Sequence, residues 1–125
     1  MTSNDDLARE KRKQARLGKL GTNNPICPTC GETDWRCMEV HHVAGQKLDA
    51  FTVIACANCH RKLTDEQKDH PKPDDASDPL LNQIGHFLLG LADMLTLVVE
   101  KLSEFGRALI DRATTVPVQQ PGGAS

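Results

Sequence analysis

From residue 80 onward, apolar residues recur at alternating steps of three and four: Leu81, Ile84, Leu88, Leu91, Leu95, Val98, Leu102, Phe105 and Leu109. That is the heptad seam of a helix with one apolar face, held for about four repeats. Asp78 followed by Pro79 is the matching start signal, an N-cap and then the first helical position. The spacing therefore predicts one amphipathic helix over 80–112. Leu80, Phe87 and Met94 widen its face, and Gly85, Ala92 and Gly106 on the other side are expected to permit close approach.

Upstream the period shortens. Residues 37–43 and 51–55 are short strand candidates, joined by a polar turn containing Gly45 and Asp49, and a helix is expected to begin within Ala57–His60. Thr64-Asp-Glu-Gln67 has capping-box spacing and predicts a further short helix, ended by His70-Pro71. Residues 6–20 carry six Lys/Arg and few apolar positions, Leu7, Ala15, Leu17 and Leu20. They read as a solvated helical lead-in stopped by Gly21, or functionally as a basic arm along a phosphate backbone. The chain thus divides into a basic lead-in (1–22), a small domain (23–70), a Pro/Asp linker (71–79), the heptad helix (80–112) and a polar tail expected to be disordered (113–125).

The apolar seam needs a partner: the small domain, a second copy or a membrane surface. Self-association through 80–112 is the favoured expectation. A membrane span is disfavoured because the apolar run from Phe87 to Val99 is short and Asp93 interrupts it. With no apolar leader in the charged first twenty residues, the chain reads as cytoplasmic.

That compartment decides how the cysteines are read. Cys27/Cys30 and Cys56/Cys59 form two Cys-x-x-Cys pairs, and in a reducing cell such pairs are metal ligands rather than disulfides. Four thiolates complete a tetrahedral structural Zn²⁺ site. A chain with three Phe, one Trp and no Tyr needs such a staple in place of a large core. Cys37 is left over and is expected to be a small buried apolar side chain, with Trp35 covering the zinc knuckle and Glu39 on the strand surface. Charge is divided: residues 1–63 carry ten Lys/Arg against seven Asp/Glu, residues 64–125 five against ten, so the half with the cysteines is the basic one.

Between the cysteine pairs stand His41 and His42, and His60 follows Cys59. Neighbouring strand residues point to opposite faces, so the doublet suits two roles rather than chelation of one ion together. Zinc does not need His60, which at about 100° per helical residue turns away from Cys59, toward the strands and His41. His70 and His86 read as surface or packing histidines, and Asn58 as part of the knuckle turn.

The run Glu39-Val-His-His42 and the run Val53-Ile-Ala-Cys-Ala-Asn-Cys-His60-Arg-Lys resemble the HNH endonucleases, the ββα-metal or His-Me finger fold, in their four-cysteine form. The resemblance covers about residues 24–64. It implies an α+β architecture, a small zinc-stapled ββα-metal domain followed by the long helix, and a nuclease hydrolysing phosphodiester bonds in DNA. It further implies that His42 is the general base, and that His41 and His60 ligate a catalytic divalent ion, Mg²⁺, Mn²⁺, Ni²⁺ or Zn²⁺. Arg61 and Lys62 would contact neighbouring phosphates. Two positions depart from the family pattern: the middle asparagine falls on Phe51, for which Asp49 or a backbone carbonyl would have to substitute, and Thr64 stands where many relatives carry another ligand. The alternative is a zinc-stabilised adapter that binds nucleic acid or protein and oligomerises through 80–112.

Overall fold

The computed structural model describes residues 4–45 and 51–118. Helix α1 spans Asn4–Leu20, a single 3-10 turn at Trp35–Cys37 leads into β1 (Met38–His42), and β2 (Thr52–Cys56) runs directly into α2 (Ala57–Gln67). Helix α3 spans Pro79–Thr115. The class is α+β, with a β-hairpin, a helix behind it and a long carboxy-terminal helix. Asp49, expected in the hairpin turn, lies outside the described residues, as does the tail from residue 119.

β1 and β2 pair antiparallel with Met38 opposite Cys56, His41 opposite Val53 and His42 opposite Thr52. Cys56 ends the second strand and also caps the helix that follows, its Sγ accepting from the Cys59 amide at 3.4 Å. One residue thus fixes where strand becomes helix. α2 continues through Thr64 without a break, so the separate helix expected there does not form. Fully buried Leu63 pins this stretch to the core, and no Gly or Pro interrupts it. At its far end the Gln67 side-chain amide donates to the carbonyls of His42 (2.8 Å) and Val43 (3.3 Å), which ties α2 to the end of β1.

Two small cores result. One lies under the cysteines and contains Leu20, Cys27, Met38, Ala55, Cys56 and Cys59. The other joins Val43, Leu63 and Met94 of α3, and Leu97 packs against both. α1 is accordingly not a solvated lead-in: Leu17 and Leu20 are buried, and Arg16 donates to the Met38 carbonyl. Two apolar residues three apart on one face suffice to dock a helix that is otherwise charged.

Helix α3 starts as its signals predict, with Asp78 accepting from the Leu81 amide at 2.9 Å and Pro79 at the first position. It runs three residues beyond the expected end. The stripe it buries is not the heptad seam but one roughly a third of a turn away, His86, Gly90 and Met94, with Phe87 and Leu97 beside it. Gly90 is the point of closest approach, because a Cβ there would meet the Val43 carbonyl. Gly85 and Gly106, expected to serve this purpose, face open space, and Ala92 is exposed. His86 spans the carbonyls of Asn82 (2.8 Å) and Pro71 (2.6 Å). Asp93 Oδ2 lies 2.7 Å from His70 Nε2 as an ion-pair contact, off the line of a hydrogen bond.

The seam itself stays in solvent: Leu81, Leu102 and Leu109 are each about two-thirds exposed, at 69%, 65% and 68%. By length and composition alone α3 would also be able to cross a membrane. Its buried stripe, with two histidines and Asp93 engaged between helix and linker, is the side committed to the domain.

Candidate metal centre and histidine cluster

The knuckle Cys27–Gly31 is closed by two backbone bonds, Gly31 N–H to Cys27 O and Cys27 N–H to Glu32 O, both 2.8 Å. Gly31 takes φ +83°, a conformation that costs a side-chain-bearing residue but not glycine. This turn faces the Cys56–Cys59 end of β2 and α2. The four sulfur atoms lie within 4.8 Å of one another, with Cys30 and Cys56 at 3.5 Å. A tetrahedron of Zn–S bonds of about 2.3 Å has edges of about 3.8 Å. The donor set therefore fits, and the four cysteines could hold a structural zinc ion.

The electrostatics of the thiols favour a cation at their centre. Burial pushes Cys59 up to about 12 and also raises Cys30. Burial acts on Cys27 in the same sense, but the Thr29 hydroxyl at 3.2 Å and nearby backbone amides outweigh it and bring that thiol down to about 6. One thiolate is accommodated by hydrogen bonds, and further ones require positive charge. Thr29, itself buried, is a supporting residue that cysteine spacing alone does not reveal. Cys37, expected to be buried, is exposed: it ends the 3-10 turn, where its side chain points outward. Trp35 lines one groove with Arg9, Arg12 and Arg16 of α1 and another with Leu17 and the residues Asn23, Asn24, Pro25 and Ile26 that lead into the knuckle.

On the other side of α2's first turn lies the histidine cluster. Glu39 and His41, two apart on β1, share the face toward α2. His41 is 1% exposed, and its ring centre stands 5.2 Å from that of His60 with the planes at 70°. His60 Nδ1 donates to Glu39 at 2.5 Å. That bond fixes the ring by one nitrogen and turns the other away from Glu39, the way a carboxylate orients a metal-binding imidazole. Glu39 is thus more than a strand-surface residue, and its place two positions before His41 was the signal that could have found it.

His41 is drawn down to about 4, mainly by burial and then by His60 and His42 nearby. It is neutral at physiological pH, with a lone pair to give. Its Nε2 and the Nδ1 of His42 are buried without a hydrogen-bond partner among the described residues, which costs roughly 1–3 kcal/mol each unless something binds there. Within those residues, the only group of three or more metal-donor side chains close enough for one ion is the cysteine set. The histidine cluster offers two.

His60 and Glu39 open onto a groove of about 890 Å³ that Asn58, Arg61, Lys62, Thr64 and Lys68 also line. Arg61 and Lys62 thus border the same space as His60, and Thr64 contributes a hydroxyl. Phe51 turns elsewhere, its ring 4.8 Å from that of Phe87 on α3. No protein-family model, curated protein or solved structure matches this chain.

Proposed function

We propose that this chain is a metal-dependent nuclease that hydrolyses phosphodiester bonds in DNA with the chemistry of the HNH enzymes. The observation that carries the reading is the buried, unpartnered Nε2 of His41 beside a His60 ring that Glu39 holds by its other nitrogen. Two imidazoles presented in this way would suit a divalent ion. A bound divalent ion would stabilise the charge that grows on the phosphoryl group and the leaving 3′ oxygen. His42 accepts the proton of the attacking water, Arg61 and Lys62 hold flanking phosphates, and the cysteine-bound zinc keeps β2 and α2 at a fixed angle so that His41 and His60 stay together.

The apolar seam of α3, exposed on the side away from the domain, supports pairing of two copies, which would present two sites to a duplex. A second reading, the adapter without turnover, is favoured by Phe51. That residue packs on Phe87, so no side-chain amide orients the His42 ring from that position. Nicking of supercoiled plasmid with Mg²⁺, Mn²⁺ or Ni²⁺ separates the two. The nuclease reading expects cleavage that falls at least ~100-fold in His42→Ala, the lower range for loss of a general base. Cleavage at the parent rate by that variant removes His42 as base, and none by the parent with any of these ions leaves the adapter.

A further inference from the structure

α1 places Arg9, Arg12 and Arg16 within one narrow strip, at steps of three and four. Opposite this strip stands the turn Asp34-Trp35-Arg36, and together they line an open groove of about 660 Å³. Four guanidiniums thus meet one carboxylate. Two of the four are engaged: Arg16 donates to the Met38 carbonyl, and Arg36 grips Asp34 through bonds of 2.7 and 3.0 Å. Arg9 and Arg12 make no hydrogen bond or ion pair with any described residue, and both are exposed. Trp35, the sole tryptophan of the chain, is part-exposed and lines the same groove.

We infer that this groove binds a single nucleic-acid strand, with phosphates on Arg9 and Arg12 and a base stacked on Trp35. Unengaged arginines beside an aromatic face are the two elements of a single-strand site, since charge tracks the backbone and the ring accepts any base. The location suits the nuclease reading, on which the inference rests. Met38, held by Arg16, is three residues before His41 on β1, about 10 Å at ~3.3 Å per residue. A strand in the groove would lie near the strand that carries the histidine cluster.

Because Trp35 is the only tryptophan, its fluorescence reports the groove directly. The zinc-loaded full chain, without added divalent ion, is titrated with a thymidine 12-mer at about 50 mM salt. Quenching that saturates is expected. Arg9→Gln/Arg12→Gln should weaken binding by at least ~10-fold and flatten the log affinity against log salt by about 1.4, at ~0.7 for each phosphate no longer neutralised. Trp35→Ala, followed with a labelled oligonucleotide, should weaken binding ~5–160-fold. No quenching, an unchanged affinity in the double variant, or equal quenching by poly-glutamate would overturn the inference. Plasmid cleavage in a protein that fails this titration removes the groove and keeps the nuclease; binding without cleavage keeps the groove and removes the nuclease.

Discussion

Gly90 of α3 rests on the main chain of Val43 so closely that a Cβ at position 90 would stand 1.7 Å from the Val43 carbonyl oxygen. Backbone meets backbone there, and neither side can rotate away. The contact sets how near α3 comes to the hairpin, and so whether Met94 reaches Val43 and Leu63.

Gly90→Ala should therefore lower stability by about 1–3 kcal/mol, the usual cost of overpacking, and expose α3 to protease between residues 86 and 97. Gly85→Ala and Gly106→Ala, where a Cβ meets nothing, should raise stability by roughly 0.5–1 kcal/mol each through helix propensity. Urea denaturation of the three variants checks the order. A Gly90→Ala protein as stable as Gly85→Ala would mean that α3 is not seated on the hairpin.

Phe51 and Phe87 touch at 4.8 Å between ring centres, tilted by 49°. Phe51→Asn should cost about 0.5–1.5 kcal/mol beyond the loss of buried apolar area. On the nuclease reading the same change supplies the amide that the His42 ring lacks, so plasmid nicking should become faster although the fold is weaker. Slower or equal nicking would show that position 51 does not orient the base.

Zinc binding sorts the five thiols. With metal bound, only exposed Cys37 should react readily with an aromatic disulfide reagent; a strong chelator should release the other four and unfold the domain. Two or more fast thiols in the zinc-loaded protein would contradict a four-sulfur site.

His41 titrates near 4 in the fold because burial disfavours its charged form, whereas an unfolded histidine titrates near ~6.5. The unfolded chain therefore takes up a proton first as pH falls. The contribution of His41 to stability is therefore full above about pH 6.5 and is lost toward pH 4, by an amount on the order of 3 kcal/mol. His41→Leu should flatten that decline between pH 7 and pH 5 in urea titrations. An equally steep decline in the variant would assign the pH dependence to other groups.

The hairpin, the helix after it and the start of α3 were legible because their signals are local. Cys56 and Cys59 mark both the knuckle and the turn into α2, and Asp78-Pro79 is a cap whatever lies nearby. The cysteine site was equally legible, since two-residue spacing sets each pair by chain geometry alone. Thr64 misled because capping-box spacing says nothing about whether a helix is already under way, and Leu63 was holding one.

What periodicity determined by itself was that α3 has an apolar seam; it could not say which stripe the hairpin would take. That choice went to the stripe with Gly90, where two backbones can approach, leaving the more regular seam in water. The partnership of His41, His60 and Glu39 was likewise decided only in three dimensions, because those side chains come from a strand and a helix whose angle is set by packing. Sequence spacing determines which residues share an element and a face, and long-range packing alone determines which faces meet.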